Sequence, residues 1–364
     1  MKFDRTRPYN NLPPLPPPID LESKVVLKKC IVAHRALASL RSAGNLIPNQ
    51  DILINSLPLR EAQDSSEIEN IVTTGDKLFK AAILPPGARI DPQTKEVLRY
   101  RTALRRGYEL VKLQSLSPAL LRQVCEVLLD HEVQFRHHNA DTKLGNREKG
   151  VVVYTPPEGG DVLLEKLNDL GNYIQDRKSA LDPLVRLALI HYQFEAVHPF
   201  EDGNGRTGRI LNMLYLIEQG LLDLPVLYLS HYIIEHKKDY YRLLRDVTEK
   251  QEWEPWVLFM LSAIEETSIK THNRVLAIRQ LLEDTITMSR TNLPKQIYSK
   301  ELIELIFVQP YCKIQYVVEA KIARRQTASE YLQALEEMGV LKSEQSGREK
   351  LFSHPALLKI LKEP

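Results

Sequence analysis

The sequence predicts a mainly α-helical fold with one short β-hairpin and a C-terminal winged helix-turn-helix. Three observations carry this. Apolar residues recur at intervals of three and four through most of residues 21–281, the spacing of one helix face. Gly150-Val151-Val152-Val153-Tyr154-Thr155-Pro156-Pro157 is instead β-branched and bounded by glycine and proline, as a short strand is. From Leu293 onward, three short helical segments precede Gly339-Val340-Leu341. A polar turn at Ser346-Gly347-Arg348 and strand-like residues ending at Phe352 follow, giving three helices and a two-stranded wing.

Taken in order, Tyr9-Asn10-Asn11-Leu12-Pro13-Pro14-Leu15-Pro16-Pro17-Pro18 must be extended, because consecutive prolines fix φ and remove donors. It reads as an arm lying along the protein's own surface. Val25, Val26, Leu27, Ile31, Ala36 and Leu40 predict a helix over about 21–42. A second covers about 56–72 and ends near Thr73-Thr74-Gly75, and a third covers about 95–113. Ser117-Pro118 opens another, a capping residue followed by proline at the first helical position. Asn139-Ala140-Asp141 and Gly145-Asn146 read as turns, and 150–154 as half of the hairpin. Helices resume at about 163–176 and 183–197, and the apolar run 210–217 reads as a buried helix. Two more, about 237–248 and 253–281, complete the body. In the tail, 299–307, 313–321 and 328–338 are helical, with Gln326-Thr327-Ala328-Ser329 opening the recognition helix. The expected units are 1–100, 101–280 and 290–364.

Composition narrows the function classes. The 364 residues carry 49 Lys+Arg against 47 Asp+Glu, so no bulk field attracts nucleic acid, and any such contact needs a local patch. Cys30, Cys125 and Cys312 are distant and odd in number, which fits buried free thiols in a reducing compartment. Met1-Lys2-Phe3-Asp4-Arg5 leads into polar residues and prolines without an apolar core, and no window approaches a membrane span. A soluble cytoplasmic protein without membrane contact is the expectation.

The chemistry concentrates at residues 198–209, His-Pro-Phe-Glu-Asp-Gly-Asn-Gly-Arg-Thr-Gly-Arg. His198 is a candidate base, and Asp202 is a hard oxygen ligand of the kind Mg²⁺ takes. Gly203-Asn204-Gly205 is a turn that delivers a helix N-terminus, where free N–H groups and the helix dipole favour phosphate. Arg206 and Arg209 open that helix, where positive charge opposes the dipole, so something anionic must offset it. The turn lacks the Lys-Ser/Thr of a Walker P-loop.

This run resembles the signature of the Fic family, His-Pro-Phe-x-(Asp/Glu)-Gly-Asn-Gly-Arg-x-x-Arg, and matches it at every fixed position. The resemblance extends over about residues 1–270 and implies a Fic-type helical core. It further implies transfer of AMP from ATP to a Ser, Thr or Tyr hydroxyl of a target protein, and to the chain itself. His198, Asn204 and Arg206 would then be catalytic. Gly203, Asn204, Gly205, Arg206, Thr207, Gly208 and Arg209 would bind ATP, with Asp202 holding Mg²⁺. Val151, Val152, Val153 and Tyr154 resemble the strand of the family's flap, which holds the target segment. Tyr240-Tyr241 resembles its adenine-side pair, one ring near the base and the other in the core. Ser65-Ser66-Glu67-Ile68-Glu69-Asn70 is similar to the family's inhibitory (Ser/Thr)-x-x-x-Glu-(Gly/Asn) motif. Ser65 and Glu69 lie one helical turn apart, and Glu69 would withhold Arg209 from the γ-phosphate.

Three alternatives stay open at this level. One is a DNA-binding regulator whose Fic body senses nucleotide. The others are Fic enzymes that remove AMP, or that transfer another nucleotidyl group or phosphocholine. The tail resembles winged helices found after some Fic domains, and Lys321, Arg324 and Arg325 precede its recognition helix as a possible phosphate contact. Such domains also mediate protein contacts, so DNA and a homodimer are both open as partners.

Overall fold

A computed structural model describes residues 3–84, 88–138, 142–146, 150–346 and 349–362. The turn expected at Asn139-Ala140-Asp141 and the tip of the wing turn, Gly347-Arg348, lie outside them. The chain begins with an extended arm and enters α1 (Lys24–Asn45), which Ser23 caps by accepting from the Val26 N–H. Val26, Cys30, Ala33, Leu37 and Leu40 bury one stripe of α1 at helical spacing. Next come α2 (Asp51–Ile68), α3 (Gly75–Ala81), α4 (Pro92–Val111) and α5 (Pro118–Leu129). Helix α2 begins before the expected position because the Asn49 side chain accepts from the Asp51 N–H, and Pro58 is carried inside it. Helix α2 stops at Ile68, short of the expected Thr73-Thr74-Gly75, and Thr74 instead caps the unforeseen α3 by accepting from Lys77 N–H.

The hairpin pairs β1 (Leu144–Asn146) with β2 (Val151–Tyr154), antiparallel. Gly145 and Asn146 therefore belong to a strand, a correction to their reading as a turn. Helices α6 (Asp161–Gln175), α7 (Pro183–Val197) and α8 (Asn204–Glu218) follow. Both α7 and α8 are buried nearly all round and form the centre of the core, with Tyr215 of α8 fully buried and Trp256 packed on α7. A short helix, α9 (Leu229–Glu235), precedes α10 (Lys237–Lys250) and α11 (Trp253–Asn292). The last was expected to end near 281. It continues because Leu282, Thr285 and Ser289 extend the buried stripe of Val275 and Ile278, and the polar members hide the periodicity. Thr285 satisfies its hydroxyl on the Leu281 carbonyl.

The tail runs α12 (Lys300–Val308), β3 (Tyr311–Lys313), α13 (Ile314–Glu319), α14 (Arg325–Glu337), β4 (Lys342–Ser346), β5 (Glu349–Ser353) and α15 (Pro355–Lys362). Its sheet order is β3-β5-β4, so the expected two-stranded wing gains a third short strand. The tail packs on the N-terminal region. The Tyr311 hydroxyl and Lys362 Nζ donate to Asp76 Oδ1 (2.6 and 2.8 Å), and Lys80 pairs with Glu344 (2.8 Å).

The proline-rich arm lies along the protein, as expected. Leu12 is buried, Tyr9 N–H donates to Thr155 O (3.1 Å), and Gln193 Nε2 donates to Pro13 O (2.9 Å). All three cysteines are buried free thiols. Among the described residues no helix is long and apolar enough to cross a membrane.

Candidate active site

The site is built where α7 stops and α8 starts. His198 ends α7 with φ 50°, its N–H still donating to Phe194 O (3.0 Å). Gly203, with φ 78°, caps α8, a left-handed conformation that a side chain would strain. Asn204 braces the turn between them with both ends of its amide. Its Oδ1 accepts from Phe200 N–H (2.9 Å) and its Nδ2 donates to Phe200 O (2.8 Å). The Asn204 side chain is thus spent on loop geometry, leaving backbone N–H groups to face a ligand. From the other side, buried Arg136 forks onto three carbonyls, those of His198 (2.7 Å), Pro157 (2.8 Å) and Val197 (3.1 Å). One guanidinium therefore ties the base of the flap to the histidine turn.

A cavity of about 770 Å³ opens at this turn. His198, Gly205 and Glu69 line it together with Val153, Tyr154 and Tyr241. The sequence-identified residues divide into two groups. Arg206, Thr207 and Arg209 are buried, and Gly208 lies beneath the Glu195 carboxylate. Of the tyrosine pair, Tyr241 lines the cavity while Tyr240 is in the core, its hydroxyl 2.8 Å from His191 Nε2. In the flap, Val151 is exposed, whereas Tyr154 turns inward and donates to Ala196 O (2.8 Å).

Arg209 is fully enclosed and held by α2. Its Nε donates to Ser65 Oγ (2.7 Å), and its Nη2 donates to Ser65 O (2.9 Å) and to Glu69 Oε1 (2.8 Å). Glu69 caps α2, and Asn70 then turns left-handed at φ 64°. From α10, Lys237 Nζ donates to Ile68 O (2.6 Å) and fixes this helix end. The carboxylate sits so close to α8 that a Cβ on Gly205 would overlap Glu69 Oε1. Arg206 pairs with Glu96 of α4 and lies 3.8 Å from Asp202. Asp202 itself is three-quarters exposed, its Oδ1 accepting from Gly203 N–H (2.6 Å).

The electrostatics follow from this burial. Burial tends to raise the Glu69 carboxyl, but Arg209, then Arg206 and Lys237, outweigh it and hold the group below its usual range. Burial, reinforced by the Arg136 charge, pushes the His198 imidazole down to about 4, so it is neutral at pH 7. Burial likewise pushes Glu195 up to about 7, against the nearby Arg209 charge.

Sequence reasoning missed Glu195, Lys237, Glu96, Arg136 and Phe3, which lines the cavity from the arm. Glu195 had a signal, being the one acidic residue in apolar α7 and three before His198. The others come from distant segments and had none.

Three family models match. Residues 27–109 match the Fic/DOC family N-terminal domain, 115–216 the Fic/DOC family, and 281–357 the C-terminal domain of SoFic-like protein adenylyltransferases. The protein adenylyltransferase fic-1 of Caenorhabditis briggsae is 33% identical over 128 residues, 34% of this chain and 24% of that protein. A probable protein adenylyltransferase of Aquifex aeolicus is 29% identical over 203 residues, 54% of this chain and 57% of the relative. The chain thus spans about a quarter to just over half of the length of these relatives. In fold, it is similar to a Fic family protein of Desulfovibrio desulfuricans G20, with TM-score 0.57 and 22% identity over 93% of this chain and 98% of that one. Fic-1 of C. elegans gives TM-score 0.51 and 22% identity, covering 71% and 74%.

Proposed function

Because this chain belongs to the Fic/DOC family, we propose that it is a protein adenylyltransferase restrained by its own Glu69. It moves AMP from ATP to a Ser, Thr or Tyr hydroxyl of a target protein and of itself. One observation carries the reading: His198, the N-terminus of α8 and Glu69 meet on a single cavity.

An acceptor hydroxyl enters beside His198, whose neutral imidazole takes the proton as the oxygen attacks the α-phosphorus. The bond to the bridging oxygen of the β-phosphate breaks, and pyrophosphate leaves. The charge of the triphosphate raises the imidazole's affinity for that proton above its resting value. Backbone N–H groups at the start of α8 face the phosphates, and Arg209 neutralises the terminal one when Glu69 releases it. The exposed Asp202 carboxylate fits Mg²⁺, which takes one or two protein carboxylates and keeps positions for phosphate oxygens. Asp202 would hold the ion, which neutralises triphosphate charge when bound. The flap is a two-stranded sheet, so an extended target segment can add to a free edge.

Intact-mass spectrometry after incubation with ATP and Mg²⁺ tests this. The Glu69→Gly chain gains the mass of AMP, wild type gains less, and His198→Ala gains none. A clean absence in both wild type and Glu69→Gly overturns the reading.

The tail supports a second role. Its helix, strand, helix, helix and hairpin order is that of a winged helix-turn-helix, and Lys321, Arg324 and Arg325 stand exposed before and at the start of α14. Fluorescence anisotropy with random duplex at low salt tests DNA contact, and no salt-sensitive binding removes it.

A further inference from the structure

The arm does more than cover the surface. Phe3 lines the cavity and stacks on Tyr154 of the flap, ring centroids 6.0 Å apart and planes 17° apart. Tyr9 meets Phe3 edge-on at 5.2 Å. The arm is pinned here on both sides. Thr155 Oγ1 donates to Arg5 O (2.7 Å), Glu158 N–H donates to Asn10 Oδ1 (2.9 Å), and Arg5 reaches Glu249 near the end of α10 at 4.0 Å.

Helix α10 serves as a ruler for where this wall stands. Lys237, at its first turn, touches Ile68 beside Glu69 and so marks the end of the cavity where Glu69 covers Arg209. Tyr241, Leu244, Arg245 and Thr248 continue along the cavity, and Glu249 meets the arm. The eleven helical rises from Lys237 to Thr248 span about 16 Å. That matches the extended length of a nucleoside triphosphate, to order of magnitude. With the terminal phosphate at Arg209, the base falls at the opposite end. That end is walled by Phe3, Tyr154 and Tyr192, with the Thr248 hydroxyl 2.9 Å from that of Tyr192. With the Tyr154 and Tyr192 hydroxyls already paired, on Ala196 O and Thr248, this end offers flat aromatic faces, which suit a planar heterocycle better than a peptide.

We infer that Phe3 of the N-terminal arm is a base-contacting residue, so that the nucleotide site is completed by the arm pinned across the flap and α10. The inference rests on the adenylyltransferase reading. An arm that contacts the base ties nucleotide affinity to the first residues of the chain.

The test is isothermal titration of the Glu69→Gly chain with ATP and, separately, with inorganic tripolyphosphate, which lacks the base. A stacking contact of this kind is expected to give about ten-fold weaker ATP binding in Phe3→Ala. Tripolyphosphate binding stays unchanged, and Phe3→Trp retains ATP affinity. A second variant lacking residues 1–7 shows the same loss for ATP, with KM for ATP raised and KM for the acceptor unchanged. Unchanged ATP binding in both variants overturns the inference. So does an equal loss for ATP and tripolyphosphate, since Phe3 would then act only on the shape of the flap. No ATP binding by the Glu69→Gly parent overturns the adenylyltransferase reading, and this inference with it.

Discussion

Replacing Glu69 with glycine removes the carboxylate that faces Arg209 at 2.8 Å, and the size of the effect can be worked from the burial of the pair. The guanidinium is 1% exposed and the carboxylate 36%. Breaking a fully buried pair by deleting one partner costs about 3–5 kcal/mol, whereas an exposed pair contributes up to about 1 kcal/mol. A pair with one partner sealed and the other a third open falls between, at about 2 kcal/mol. Wild type must give up that interaction before Arg209 can serve a phosphate, and the variant need not. At about 1.4 kcal/mol per factor of ten, the variant gains roughly thirty-fold in transfer rate. Incorporation of label from α-labelled ATP, followed over time at saturating ATP, measures it. Glu69→Gln, which keeps an acceptor and loses the charge, falls between the two. A Glu69→Gly rate equal to wild type, with AMP still incorporated, refutes the reasoning.

The remaining predictions concern titration and support. Because burial holds His198 near 4 in the free enzyme, the kcat/KM for ATP of the Glu69→Gly/Glu195→Gln chain stays level from pH 7.5 down to about 5.5, and a loss centred near 6.5 in that profile would show an ordinary imidazole. The Glu69 carboxyl lies below its unfolded value, so its ion pair adds stability above the ordinary carboxylate range and loses it as pH falls through the folded pKa. With Glu195, which titrates near 7, replaced by glutamine in both chains, the restraint is accordingly constant from about pH 6 to 8, measured as the ratio of rates with and without Glu69→Gly. Arg136→Lys cannot span three carbonyls. It should lose about 2–3 kcal/mol in denaturant titration and reduce kcat more than KM. Tyr154→Phe leaves Ala196 O without its donor and costs about 1 kcal/mol by the same titration.

The histidine turn was legible because its parts are contiguous. A helix end, a left-handed glycine and a helix start must follow one another, and their residue types are restricted. Ser65 and Glu69 were legible only through their resemblance to the inhibitory motif beside a complete Fic signature, since one-turn spacing alone describes a solvated acidic face equally well. What the sequence hides is which distant side chain meets that turn. Arg136 in its loop, and Glu96 and Lys237 in their helices, look like ordinary surface cations and anions, and packing alone directs them inward. Asn204 was read as a ligand to phosphate, yet its amide is the strut of the turn, since a buried loop must satisfy its backbone groups locally. The missed elements were short or disguised. Helix α3 starts on the threonine pair that reads as the end of α2, although α2 stops at Ile68; β3 has three residues, and buried threonine and serine mask the last turns of α11.

Ser65 has a consequence separate from that of Glu69. It takes the guanidinium by its side face, at Nε and Nη2, and the carboxylate adds a bond at Nη2. Losing Glu69 therefore uncovers the arginine without letting it swing. The serine acts as a gun mount and the glutamate as its muzzle cover. On the proposed reading, release of Arg209 then needs neither a rotamer search by the arginine nor unwinding of α2, only the departure of one side chain at the helix end. A restraint organised this way switches over the time of a side-chain rotation, and it returns the catalyst to a weapon already aimed.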